Sequence, residues 1–112
     1  MTNGRQKGAA GERELSHELQ KYGFDTRRGQ QYCGANGDAD VVGVEGLHIE
    51  CKRVEQLDYY KAVEQSEHDA REHEIPVVMH RKNRKNWLVT MTLDNFIKIY
   101  KGEHNDSGIL DK

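Results

Sequence analysis

Cysteine is scarce in this sequence. Cys33 and Cys51 are the only two. Neither lies in a C-x-x-C pair, so spacing argues for neither a disulfide framework nor a cysteine-built zinc site. Six histidines are present, at 17, 48, 68, 73, 80 and 104, but His68 and His73 fall at i, i+5 and face apart on a helix, which argues against zinc. Long apolar runs are missing as well. None approaches the roughly 20 residues of a membrane span, and no signal peptide precedes the first helix, so the expectation is a cytoplasmic, intracellular protein with no membrane partner. Excess positive charge is absent too: 17 Lys and Arg stand against 19 Asp and Glu, a net −2 with histidine neutral. Global charge therefore gives no support to nucleic-acid binding, and local clusters have to carry that reading. There are no internal repeats. The glycine-rich stretch GQQYCGANG at 29–37 matches neither GxxxxGK[ST] nor GxGxxG, so it is not a nucleotide cradle.

What is present is charge of both signs, 32% of residues, with a mean hydropathy of −0.96. A chain of 112 residues makes one domain with a modest core, and so polar a composition suggests that subunits share a surface. Residues 1–7 and 101–112 read as polar, flexible tails. A first helix is expected over 8–22, with Gly23 as its C-terminal stop; Glu12, Leu15, Leu19 and Tyr22 share one face, while Glu14 lies nearly opposite as ordinary surface charge. Residues 24–31 suggest a strand on which only one of Arg27 and Arg28 can point to a given face. A second helix is expected over 57–74, with Asp58 as a possible N-cap and a narrow stripe of Tyr60, Val63, Ser66 or Glu67, and Ala70, ended by Ile75-Pro76. Strands at 76–80 and 87–91 flank a cationic turn, RKNRKN, and a last short helix covers 93–100. Buried Cys51 reads as a free thiol.

The stretch from Asp38 to Lys52 organises the rest. Two short strands, 40–44 and 47–53, are joined by Glu45-Gly46. Side chains alternate on a strand, so Ile49 and Cys51 share one face and His48, Glu50 and Lys52 the other. Asp40, Glu50 and Lys52 come within reach of one point. A hard cation such as Mg²⁺ takes oxygen ligands and keeps open positions, and a lysine beside two carboxylates can orient water or stabilise developing charge on a phosphoryl group. Asp38, two residues before Asp40, faces the same way and is a second acid or a turn former.

Asp40 followed by Glu50-x-Lys52, with alanine where proline often stands, and Glu12 on a preceding helix, resembles the PD-(D/E)xK nucleases. The order of elements over about residues 8–100 looks most like the archaeal-type Holliday junction resolvases and their phage relatives. The resemblance implies an α/β, restriction-endonuclease-like core: a mixed sheet of four or five strands flanked by helices, with residues 1–112 as one nuclease domain. It implies catalytic roles for Glu12, Asp40, Glu50 and Lys52. It implies a Mg²⁺ site, with Mn²⁺ able to substitute, built from Asp40, Glu50, the Cys51 backbone carbonyl and Glu12 through water. Gln65 is a polar residue on the helix after Glu-x-Lys, where many such nucleases have one near the metal. Relatives often carry a serine in the 29–37 loop; here there is none, and Tyr32 or Asn36 are the substitutes. Arg27, Arg28, Arg81, Lys82, Arg84 and Lys85 are candidate DNA contacts. The implied function is cleavage of four-way DNA junctions by a homodimer. The alternatives are a phage or mobile-element nuclease acting on duplex ends, flaps or nicks, a non-catalytic DNA-binding module of the same fold, and a small structural or protein-interaction domain.

Overall fold

Ile49 and Val41 sit at the centre of the core and are fully buried, because each lies on an inner strand of one sheet and turns its side chain under the first helix. A computed structural model of the chain describes residues 4–30 and 39–106. Its elements run α1 (Gly4–Gln20), β1 (Arg27–Arg28), β2 (Val41–Val42), β3 (Leu47–Arg53), α2 (Tyr59–Asp69), β4 (Ile75–Arg81), β5 (Leu88–Thr90) and α3 (Leu93–Asp106). The strands form one sheet in chain order. All neighbours are antiparallel except β3 and β4, which run parallel over seven paired residues, from Leu47 with Ile75 to Arg53 with Arg81. Parallel neighbours need a crossover, and α2 supplies it. The result is a mixed five-stranded α/β sheet with flanking helices, as the family resemblance implies.

The two faces of the sheet differ in chemistry. On one, Ile49 and Cys51 of β3 and Val77 and Met79 of β4 pack with Val41 and Leu15 of α1. Leu15 occupies the middle of the helix stripe, as its spacing predicts. Tyr22 does not join it: α1 ends at Gln20, and Tyr22 lies in the turn beyond, 72% exposed. A buried polar latch holds the end of α1 to the sheet, since Thr26 Oγ1 donates to the Ser16 carbonyl at 2.8 Å and Gln20 Nε2 to the Thr26 carbonyl at 3.0 Å. On the other face, α2 lies over β4 through the small residues Ala62 and Ser66. Of the expected stripe, Ser66 is buried and Val63 and Ala70 are half-buried, but Tyr60 is 84% exposed and Ala62 takes the buried place one turn before Ser66.

Element ends differ from the sequence expectations for identifiable reasons. The arm at 4–7 continues α1, as nothing in GRQK breaks a helix. Helix α2 begins after Asp58, whose side chain accepts from the Lys61 N–H at 3.1 Å, an N-cap; it stops at Asp69, well before Pro76. Pro76 therefore lies inside β4. Ile75 N–H donates to Gly46 O on the β3 side, so the Pro76 nitrogen faces the β5 side, where pairing starts only at Val78 and no ladder bond is lost. The first strand is far shorter than residues 24–31, and α3 runs on to Asp106 instead of ending at Tyr100. The 29–37 loop from Gln31 onward, and with it Tyr32, Cys33, Asn36 and Asp38, lies outside the described residues, as do 107–112.

Candidate active site

Strand β3 is longer than its neighbour β2, and that mismatch opens the site. Val41 pairs with Ile49, and Asp40 N–H donates to the Ile49 carbonyl at 2.9 Å. Among the described residues the β2–β3 pairing goes no further. Asp40 instead offers its side chain, and Oδ2 accepts the Cys51 N–H at 2.8 Å. Backbone N–H and C=O of one strand residue point the same way, so the Cys51 carbonyl emerges on the side of Asp40. Glu50 and Lys52 flank it on the α2 face. A cleft of about 390 Å³ forms here, lined by Glu12, Asp40, Glu50, Cys51 and Lys52 together with Gln65. The four acid and base residues singled out in the sequence thus line one concavity.

Glu12 reaches the cleft because α1 lies unusually close to β3. A Cβ on Gly11 would stand 2.8 Å from the Arg53 Cβ, so only glycine permits the approach. The Glu12 carboxylate is steadied by Arg28, whose Nε donates to Oε1 at 2.9 Å. Both arginines of the pair are exposed, and Arg28 is the one that reaches Glu12. Lys52 Nζ lies 3.4 Å from the Gln65 side-chain oxygen, which brings Gln65 to the cleft from α2.

Among known proteins, no family model and no curated sequence matches this chain. Among solved structures it is similar to Archaeoglobus fulgidus Hjc, a Holliday junction resolvase from an archaeal hyperthermophile. The two share 31% identity over 74% of this chain and 70% of that one, with a TM-score of 0.55. The chain belongs to the Holliday junction resolvase family, within the PD-(D/E)xK nucleases.

In this resolvase-family cleft the electrostatics are those of crowded acids. Asp40 is pushed up from 3.8 to about 7, first by burial, then by the charge of Glu50, and less by Glu12; the Cys51 N–H and Lys52 oppose the shift. The Cys51 thiol is pushed up to about 12, mainly by burial and then by Asp40. It stays protonated, so the residue offers its carbonyl and not its sulfur. Among the described residues no group of three His, Cys, Asp or Glu side chains could by itself cage a metal ion. A hard cation that keeps solvent and substrate oxygens needs only one or two protein carboxylates, and the donors present fit that kind of site.

Several residues lie elsewhere than the sequence suggests. His48 shares the face of Glu50 and Lys52, but it does not line the outer surface. It is 3% exposed, with Nε2 2.8 Å from Glu50 Oε2 and Nδ1 3.3 Å from Glu74 Oε1. Burial disfavours its charged form, yet the hydrogen bond and charge of Glu50, then those of Glu74, outweigh this and raise its pKa. Glu14 is not ordinary surface charge: Oε1 accepts from Arg53 Nε at 3.0 Å and Oε2 lies 2.8 Å from Arg81 Nε. Arg81 ends β4 instead of heading the turn. It is held by Glu14, by donation to the Lys85 carbonyl at 2.8 Å and by the Trp87 ring 6.0 Å away. That leaves Lys82, Arg84 and Lys85 exposed on the turn. The Arg28, Glu14 and Glu74 contacts are long-range, and helix or strand periodicity carries no signal for them; the Gly11 approach shows only as a glycine mid-helix next to an acid.

Proposed function

We propose that this chain is a divalent-metal-dependent endodeoxyribonuclease that hydrolyses phosphodiester bonds in branched DNA, with the four-way (Holliday) junction as its substrate. The observation that carries the reading is the convergence of Asp40, Glu50, Lys52 and Glu12 on one cleft, in a chain of the resolvase family. Asp40, Glu50 and the Cys51 carbonyl would hold Mg²⁺, or Mn²⁺ in its place, with Glu12 acting through water. When bound, such an ion polarises a phosphoryl oxygen and lowers the pKa of water. The raised pKa of Asp40 supports the assignment, since a cation relieves the like-charge repulsion that helps to cause it.

The chain's own residues do the rest. Lys52 presents an ammonium to the charge that develops on the phosphoryl oxygens or orients the attacking water, and Gln65 restrains its swing. Arg28 keeps Glu12 facing the cleft. Arg27, Lys82, Arg84 and Lys85 are exposed cations placed to touch phosphates and fix the substrate's register. Every described strand belongs to a single sheet, which supports one nuclease domain. A junction has twofold symmetry and needs two cuts, so the working form is a homodimer. The exposed apolar residues Leu93, Phe96, Ile97 and Tyr100 of α3 and Leu88 and Val89 of β5 are the surface that dimer would cover.

A panel of labelled substrates with Mg²⁺ tests this: four-way junction, flap, nicked duplex and linear duplex. Preferential, paired cutting of the junction is expected. A preference for duplex ends or flaps would move the substrate assignment, and binding without cutting under any divalent ion would make the chain a DNA-binding module.

A further inference from the structure

We propose that His48 and Glu74 are positioning residues that fix Glu50 for cation binding, as a buried relay running behind the cleft. This rests on the reading of Glu50 as a ligand. Glu50 and His48 are two apart on β3 and share a face, so the imidazole lies against the carboxylate. Its Nε2 stands 2.8 Å from Glu50 Oε2, and the ring is almost wholly buried. On the far side Nδ1 stands 3.3 Å from Glu74 Oε1. That oxygen is itself anchored, accepting the Arg71 N–H at 2.9 Å, and the Glu74 N–H returns to the Arg71 carbonyl at 2.9 Å. The chain of contacts thus begins in the backbone of the α2–β4 turn and ends on the acid of the cleft.

Two features separate this arrangement from a histidine that merely fills space. Both ring nitrogens face carboxylates, so the ring can neither flip nor rotate without losing a partner. One oxygen of Glu50 is committed to the relay, which fixes the plane of the carboxylate and leaves the other oxygen for the cleft. Partners of this kind behind a ligand orient it and tune its affinity. The parallel register of β3 and β4 sets Leu47 beside Ile75, which places the turn ending at Glu74 next to His48.

The test is direct Mn²⁺ binding to the DNA-free protein, followed by electron paramagnetic resonance of the free ion, beside the Mn²⁺ dependence of junction cleavage. His48→Leu should weaken Mn²⁺ binding by roughly 10–100-fold, leave metal-free junction binding unchanged, and recover most of its cleavage rate at saturating Mn²⁺. His48→Gln, which keeps a donor towards Glu50, should restore much of the affinity. Glu74→Ala leaves the ring in place and should weaken Mn²⁺ binding less than His48→Leu, which keeps the test open if the leucine variant does not fold. Folded variants whose Mn²⁺ titrations overlay wild type overturn the relay alone. Wild-type protein that binds no more Mn²⁺ than Asp40→Asn overturns the metal site and the relay with it.

Discussion

Asp40 and Cys51 are joined by a 2.8 Å hydrogen bond from the Cys51 N–H to the Asp40 carboxylate, at the point where β2 runs out and β3 continues. A side-chain carboxylate here accepts the strand N–H that a backbone carbonyl accepts elsewhere in the ladder. This one contact sets the acid just before β2 against the strand carrying Glu50 and Lys52.

Protonation of Asp40 should govern both metal binding and stability around neutrality. In the fold its pKa is raised to about 7 against 3.8 for the free side chain. The cation needs the ionised acid, so affinity should fall up to about tenfold per pH unit below 7. The stability effect has the opposite sign. Between pH 3.8 and about 7 the folded chain holds a proton that the unfolded chain has released, so this group's contribution is complete below pH 4 and lost as pH rises through 7. Asp40→Asn should abolish Mn²⁺ binding while raising the melting temperature of the metal-free protein at pH 8 by about 5 °C. Calorimetry of both proteins at pH 5 and pH 8 checks this.

Gly11→Ala should damage the site out of proportion to its size. The new methyl meets the Arg53 Cβ at 2.8 Å, and neither helix nor strand backbone gives way cheaply. Overpacking of this kind costs about 1–3 kcal/mol, and α1 should shift outward and carry Glu12 with it. Urea denaturation measures the stability loss; the cleavage rate of the folded fraction should fall as well.

The cations at 81–85 should divide into two classes. Replacing Lys82, Arg84 and Lys85 by alanine together should weaken junction binding and reduce the slope of log affinity against log salt by about 2–3, with little effect on the melting temperature. Arg81→Ala should do the reverse: it frees Glu14 from one of its two arginines and loosens the β4 end at about 1 kcal/mol. Salt titrations and thermal melts on the same two proteins separate the classes.

Glu14→Gln should leave chemistry intact and lower stability modestly, by about 1 kcal/mol, since its contacts with Arg53 and Arg81 are partly exposed. Normal junction cleavage with an earlier urea midpoint is the expected pattern.

Local pattern made much of this molecule legible. Alternation in LHIECK placed Glu50 and Lys52 on one face, the Asp40 strand preceded it through a Glu45-Gly46 turn, and the spacing of Glu12 and Leu15 gave α1 its inward side. What escaped was contact between distant segments. Nothing in the periodicity of β3 says that His48 is buried with Glu74 behind it; on a strand its phase suits a cleft and a core equally well. Arg81 and Glu14 looked like surface charge because their pairing spans 67 residues. Helix ends were misplaced for a different reason: Asp69 ends α2 with no glycine or proline beside it, so the sequence holds no local stop signal there.

The most direct measurement is cleavage of a synthetic four-way junction with Mg²⁺ or Mn²⁺ by wild type, Asp40→Asn and Lys52→Ala, with binding followed in parallel. Paired symmetric nicks by wild type, reduced roughly 10³-fold or more in both variants while junction binding survives, is the predicted result. Junction cleavage at the wild-type rate in either variant would contradict the assignment of the cleft as the site of chemistry.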